Sequence, residues 1–290
     1  MTTRRYAEID VFTAEPLLGN PLAVIIDSEG LDGARMQHIA NWLNFSETTF
    51  LLPPTTPQAD YRVRIFTPRQ ELPFAGHPSV GSAYVAMTSG RVRADARTLV
   101  QECAAGLLPV RVEGEDSQRK IHVRAPEATR NALSEADADA LAQALGARFV
   151  RPPGNVCNGP NWLTCDLGES PAVRALRPDM ITLASITDRL GAVGACVFGR
   201  TLDGIADMAV RAFCPADGIP EDPVTGSANA AIAHDLFAHD GLQAYGRRYR
   251  ASQGREVGRD GSVEIEVDAD GKIHVGGACT LVVQGTLHVD

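Results

Sequence analysis

The chain has no long hydrophobic run. Nothing in its 290 residues approaches the roughly 18 to 20 consecutive apolar residues that a helical membrane span needs. It has no excess of basic residues either: Lys and Arg number 27 against 36 Asp and Glu, a net charge of −9. That balance argues against a nucleic-acid partner or an anionic membrane surface, since both need clustered cations. The densest basic run, Arg247-Arg248-Tyr249-Arg250, alternates like a strand with a solvated face. The six cysteines contain no C-x-x-C pair, so reduced and largely buried thiols are expected. G-x-G-x-x-G and G-x-x-x-x-G-K-[ST] are both missing, which removes the usual dinucleotide and nucleotide loops. The opening Met1-Thr-Thr-Arg-Arg-Tyr6 leads into an acidic strand-like segment without the apolar centre of a signal peptide. The expected setting is therefore cytoplasmic.

What is present is an ordinary globular composition, 44% hydrophobic and 22% charged, long enough to bury a large core in one or two domains. The chain also looks duplicated. His77-Pro-Ser-Val-Gly-Ser-Ala83 reads against Asp222-Pro-Val-Thr-Gly-Ser-Ala228 at an offset of 145, and Arg64-Ile-Phe-Thr-Pro68 against Arg211-Ala-Phe-Cys-Pro215 at 147. In that alignment His77 stands where the second copy has Asp222.

Local patterns follow the same two-part order. Tyr6–Phe12 and Leu22–Ile26 read as strands around the turn Gly19-Asn20-Pro21. Met36, Ile39, Ala40 and Leu43 give one apolar helical face across residues 35–44, and Thr48–Leu52 resumes as a strand. Glu47 is thus expected at a helix-to-strand joint, where rigid elements can hold a projecting side chain. After the alternating strand Tyr61–Phe66, Pro78 suits the first position of a helix of small residues ending at Gly90. That helix is apolar nearly all round, so it is expected to be central and buried. Strands follow near residues 98–102, 107–112 and 120–124.

Residues 126–133 turn polar and mark the expected boundary between domains 1–127 and 128–290, with the last strand able to cross back. Ser134-Glu-Ala-Asp137 resembles a capping box opening a helix with Leu141 and Leu145 on one face. The turn Asn158-Gly-Pro-Asn161, a helix over 181–190, strands over 192–198 and 206–213, and the small-residue helix from Gly226 repeat the earlier order. Strands over 248–252, 262–267, 272–275 and 280–289 close the chain. Each half is read as a curled, mostly antiparallel sheet or barrel around a central helix, an α+β architecture of two pseudo-symmetric domains.

If both repeated motifs open helices, each supplies unpaired amides and the positive end of a helix dipole, suited to a carboxylate. Gly76 and Gly226 let backbone approach a ligand, and Ser227 and Thr225 can add hydroxyls. Taken singly, Ser79, Ser82 and Thr225 read as caps and packing residues. His77, between Gly and Pro at a helix start, differs from the six other histidines, which read as structural or solvent-facing. Glu221-Asp222 reads equally as a capping carboxylate pair or as part of a site.

Five stretches together resemble the phenazine biosynthesis PhzF-like isomerase family: Ile9-Asp-Val-Phe-Thr with Gly19-Asn-Pro; Ser46-Glu47-Thr-x-Phe; Arg64-Ile-Phe-Thr-Pro-x-x-Glu71-Leu-Pro-Phe-Ala-Gly-His77-Pro; Glu221-Asp222-Pro-x-Thr-Gly-Ser227-Ala; and Gln253-Gly-x-x-x-Gly258-Arg. The resemblance spans nearly the whole chain. It implies the diaminopimelate epimerase-like fold, no cofactor, a homodimer, and an isomerase or epimerase that moves a proton on a small carboxylate-bearing metabolite. Trans-2,3-dihydro-3-hydroxyanthranilate isomerisation is the best-known case. It further implies Glu47 as general acid/base, His77 and Asp222 as its polar partners, and Ser227 with the amides near Gly76 and Gly226 as substrate contacts. Asn20 and Asn158, at the two matching turns, are further pocket candidates.

A carboxylic acid withdrawn from water suits the role given to Glu47, because its pKa rises toward neutrality. Two-thiol racemases of this fold need a Cys in each motif, and here neither motif has one. A metal held by Glu47, His77 and Asp222 lacks any close ligand spacing. The alternatives are an amino-acid racemase or other proton-transfer enzyme of the same fold, and a non-catalytic member that binds a small acid or a protein.

Overall fold

The computed structural model describes residues 2–289; Met1 and Asp290, the outer limits of the two expected domains, lie outside the described residues. The chain forms two compact units. The first is residues 1–124 with 276–290, and the second is residues 125–275.

The first unit runs β1 (Thr2–Val11), β2 (Asn20–Ile25), α1 (Gly33–Leu43), β3 (Thr48–Leu52), β4 (Tyr61–Phe66), β5 (Glu71–Leu72), α2 (Gly76–Thr88), β6 (Thr98–Cys103), β7 (Gly106–Glu113) and β8 (Lys120–Arg124). The second runs β9 (Thr129–Ala132), α3 (Glu135–Leu145), β10 (Gly154–Cys157), β11 (Asn161–Glu169), α4 (Ser170–Ala175), α5 (Met180–Arg189), β12 (Gly194–Arg200), β13 (Met208–Cys214), β14 (Ile219–Asp222), α6 (Gly226–Ala238), β15 (Arg248–Gln253) and β16 (Gly261–Val267). A final strand, β17 (Ile273–Val289), starts in the second unit and ends in the first.

In the first unit β1 pairs antiparallel with β2 and β17, β2 runs parallel to β3, β3 antiparallel to β4, and β4 parallel to β6. The meander β6–β7–β8 returns to β17, so the mixed sheet closes on itself. β2 and β3 are buried on both faces, which is why they read as nearly continuous apolar runs, whereas β4 and β7 alternate. On one face Ala23, Ile25, Phe50 and Phe66 pack with Met36, Ile39 and Ala40 of α1. On the other, α2 is enclosed: a Cβ on Gly81 would come within 2.6 Å of Leu22, 2.7 Å of Ile9 and 2.9 Å of Val11. Small residues on α2 therefore serve close approach of helix to sheet.

The second unit repeats the pattern. β11 runs parallel to β12, β12 antiparallel to β13, and β13 parallel to β15. Leu163, Cys165, Ala195, Val197 and Phe213 face a cluster with α3, α4 and α5. The alternate residues Trp162, Thr164 and Cys196 make hydrogen bonds to α6, as the two-residue period of a strand requires.

Four local expectations change. α2 begins at Gly76, two residues before the expected start, so Pro78 occupies its third position; every amide of a first turn lacks an intrahelical acceptor, so proline costs as little there. Residues 129–132, read as polar boundary, form β9 because they pair with β10. The expected break between 275 and 280 is absent and β17 is continuous: a Cβ on Gly276 would lie 2.3 Å from the Ile121 carbonyl, so glycine here permits close strand contact rather than a turn. The short helix α4, opened by Ser170-Pro171, is additional to the sequence reading.

Candidate active site

In the first unit, α1 ends on Asn44, whose left-handed backbone (φ 57°) turns the chain toward β3. Glu47 stands at this joint, one residue before β3. Its side chain is 19% exposed and lies with Oε2 3.5 Å from Nδ1 of His77, which is 7% exposed. That separation is longer than a good hydrogen bond but brings the carboxyl and the imidazole side by side. Burial pushes the Glu47 carboxyl above its ordinary pKa, and a hydrogen bond with Ser46 opposes this only in part. A desolvated carboxyl holds a proton more readily than an exposed one, as a general acid/base must.

Gly76 and His77 are the first two residues of α2. Deeper in that helix Ser82 donates to Thr49 Oγ1 (3.0 Å), and Ser79 accepts from Gln101 (3.0 Å), which accepts from Tyr61 (3.1 Å). Both serines therefore pin the helix. Asn20 is buried at the first position of β2, opposite Val11.

In the second unit Gly226 and Ser227 open α6. Ser227 Oγ accepts the indole N–H of Trp162 at 3.1 Å, and because that nitrogen can only donate, the serine keeps its own hydrogen to offer. Asn158 donates to the Ser227 carbonyl at 2.8 Å and ties the turn before β11 to the first turn of α6. Thr225, just before α6, donates its hydroxyl to Asp222 Oδ2. Gln253, the last residue of β15, is fully buried and touches all of this, accepting from the Thr225 amide (3.0 Å) and Asn229 (2.9 Å) and donating to the Asp222 carbonyl (3.0 Å) and Thr225 Oγ1 (2.9 Å). The sequence motif contained Gln253 but assigned it no role; its position before a glycine at a strand end was the available signal.

Side-chain caps close three of the outer helices, whereas the fourth, α4, and both central helices have none. α1, α3 and α5 are capped by the side chains of Asp32, Ser134 and Asp179. α2 and α6 have no side-chain cap, although Thr225 is a residue type that commonly caps. Its hydroxyl is committed to Asp222 and Gln253 instead. Neither central helix has a threonine, serine or aspartate side chain closing its first turn.

The structure corrects the alignment of the two copies. Both central helices begin at a glycine, and Gly226 stands 150 residues after Gly76. Glu71 and Glu221, also 150 apart, each take a two-pronged ion pair from the aligned Arg64 and Arg211. On this register His77 corresponds to Ser227, and Asp222 corresponds to Leu72. The matching Pro-x-x-Gly-Ser-Ala letters coincide by composition: Gly81 lies inside α2 to admit the β1–β2 hairpin, whereas Gly226 opens α6. His77 and Asp222 are thus not duplicates of one position.

Among the described residues no group of three or more His, Cys, Asp or Glu is gathered as for a metal ion. Burial raises the thiols of Cys103, Cys165, Cys196 and Cys279, which makes them poor nucleophiles. No helix among the described residues is long and apolar enough to cross a membrane.

Comparison with known proteins agrees with this arrangement of elements. Residues 9–285 match the family model for phenazine biosynthesis-like proteins, PhzC-PhzF. The chain is 33% identical to antisense-enhancing sequence 1 of Schizosaccharomyces pombe, over 98% of this chain and 99% of that one. It is 37% identical to trans-2,3-dihydro-3-hydroxyanthranilate isomerase of Pseudomonas aeruginosa, over 92% of each. The crystal structure of a PhzF-family phenazine biosynthesis protein from Bacillus anthracis superposes with a TM-score of 0.86 over the full length of both chains, at 25% identity. The chain belongs to the phenazine biosynthesis-like PhzF family and is an isomerase with its diaminopimelate epimerase-like α+β fold.

Proposed function

We propose that this isomerase moves a proton between carbons of a small carboxylate-bearing metabolite without a cofactor, in the manner of a trans-2,3-dihydro-3-hydroxyanthranilate isomerase. The observation that carries the reading is Glu47, a carboxyl desolvated at a rigid helix-to-strand joint and set 3.5 Å from His77. As carboxylate, Glu47 takes a proton from a substrate carbon; the C–H electron pair enters the adjoining π system. As carboxylic acid, it returns the proton to a different carbon. Burial raises its pKa above the ordinary glutamate value, the direction that favours a carboxyl able to give back the proton it takes. His77 steadies the charge on Glu47. Ser227, the free-ended first turns at Gly76 and Gly226, and Asp222 hold the polar groups of the substrate, with Asn158 fixing the first turn of α6. Fixing the substrate's orientation selects which carbon loses its proton. A homodimer working in the cytoplasm completes the proposal and rests on family resemblance.

The test uses trans-2,3-dihydro-3-hydroxyanthranilate in deuterated water. Wild-type protein is expected to isomerise it and to incorporate deuterium at carbon, whereas Glu47→Gln folds normally and does neither. Normal exchange by Glu47→Gln would remove Glu47 from the role. An inert wild type would remove this substrate, and a series of other small acids under the same label would then identify the class.

A further inference from the structure

We infer that Gln253 is a positioning residue: it and Thr225 form a one-way hydrogen-bond relay that holds Asp222 Oδ2 as an acceptor and so sets the orientation of the Asp222 carboxyl group. The functional weight of this relay rests on the proposed reading of Asp222 as a substrate contact.

The direction follows from groups whose roles are fixed. The Thr225 backbone N–H can only donate, so the Gln253 atom 3.0 Å from it is the carbonyl oxygen. The Asp222 backbone carbonyl can only accept, so the Gln253 atom 3.0 Å from that is the amide nitrogen. Two backbone groups therefore settle the amide's orientation independently. Its second N–H lies 2.9 Å from Thr225 Oγ1, and the hydroxyl accepts it. The Thr225 hydrogen then points to Asp222 Oδ2 as a donor. With its hydrogen directed at Oδ2, the Thr225 hydroxyl fixes which way that carboxyl oxygen faces. Asn229, the fourth residue of α6, supplies the other donor to Gln253 Oε1 at 2.9 Å and anchors the relay to the central helix.

Gln253 is fully buried and Thr225 is 8% exposed, so water has little access to substitute for any link. A hydrogen bond to a charged group is worth about 1.5–3 kcal/mol, or roughly tenfold to a hundredfold in rate if it is felt in the transition state. Division of labour follows: Glu47, desolvated and raised, exchanges the proton, while Asp222 is held in one orientation.

Thr225→Val removes the hydroxyl without changing the shape, Thr225→Ser retains it, and Gln253→Leu cuts the first link. With trans-2,3-dihydro-3-hydroxyanthranilate as probe, Thr225→Val is expected to lose about tenfold or more in kcat with KM within about threefold, and Thr225→Ser to stay within about threefold of wild type. Crystal structures should show the Asp222 carboxylate turned in Thr225→Val and unmoved in Thr225→Ser. In proton NMR a slowly exchanging Thr225 hydroxyl is expected in wild type and lost in Gln253→Leu. An Asp222 carboxylate that keeps its orientation in Thr225→Val, or equal kcat losses for Val and Ser, would overturn the relay. If wild type is inert on the probe, the proposed substrate fails while the orientation and hydroxyl readings still decide the relay. Should Gln253→Leu not fold, the two Thr225 variants decide it.

Discussion

The two units use the same devices with different degrees of enclosure. In the first, Arg64 grips Glu71 through two hydrogen bonds of 2.7 Å, lies over the Phe66 ring at 5.2 Å, and leaves the pair 24% and 35% exposed. In the second, Arg211 grips Glu221 at 2.9 and 2.7 Å, lies over Phe213 at 4.8 Å, and leaves the pair only 5% and 7% exposed. Arg211 also donates to the carbonyls of Val173 and Leu176 at the end of α4. Each unit likewise sends a buried glutamine to the fourth residue of its central helix, Gln101 to Ser79 and Gln253 to Asn229. The joint before the third strand differs outright. β3 enters its parallel pairing at Thr48 and β12 at Gly194, so the residue matching Glu47 is Val193. The first unit thus has a titratable side chain at that joint where the second has an apolar one, and the second encloses its ion pair more fully.

The largest effect should come from breaking the enclosed ion pair. Arg211→Met leaves Glu221 buried without its partner and strips two carbonyls of a donor, a loss of about 3–5 kcal/mol in urea unfolding. Arg64→Met, at the more exposed pair, should cost about 1 kcal/mol or less. Equal losses would erase the difference between the units. Next is Gly81→Ala, which must push α2 away from Leu22, Ile9 and Val11 and should cost about 1–3 kcal/mol. A Cβ at Gly76 meets nothing within 4 Å, so Gly76→Ala should leave the thermal midpoint near wild type.

The smallest effect concerns Glu47 itself. Its folded pKa is raised, so its contribution to stability is fully present below the unfolded pKa and is lost as pH rises through the folded one. Wild type should therefore lose stability relative to Glu47→Gln as pH climbs above the ordinary glutamate range. Urea midpoints across a pH series that stay parallel for the two proteins would show that burial does not penalise this carboxylate.

Local signals in the sequence carried much of the architecture. The 3.6-residue spacing of Met36, Ile39 and Ala40 and the Ser134 cap each describe a helix without reference to the rest of the chain. Residues 129–132 could not be read this way, because only their partner β10 makes them a strand. Glu47 was placed at its joint by helix and strand patterns, but its desolvation depends on what covers it. The two Gly-Ser-Ala segments misled for a physical reason: one glycine admits a neighbouring hairpin and the other opens a helix, and letters do not distinguish the two uses. Gln253 was visible as part of a motif, whereas its partners Asp222, Thr225 and Asn229 lie 24 to 31 residues earlier in the chain.

The path of β17 also bears on biosynthesis. The second unit is one uninterrupted segment, 125–275, whereas the first needs residues 276–290 for the strand that pairs with β1 along ten positions. A ribosome has therefore delivered everything the second unit requires while the first still lacks the strand that closes its sheet. The half that carries Glu47 is started first and completed after the other, so a nascent chain has no closed first sheet until β17 has been translated.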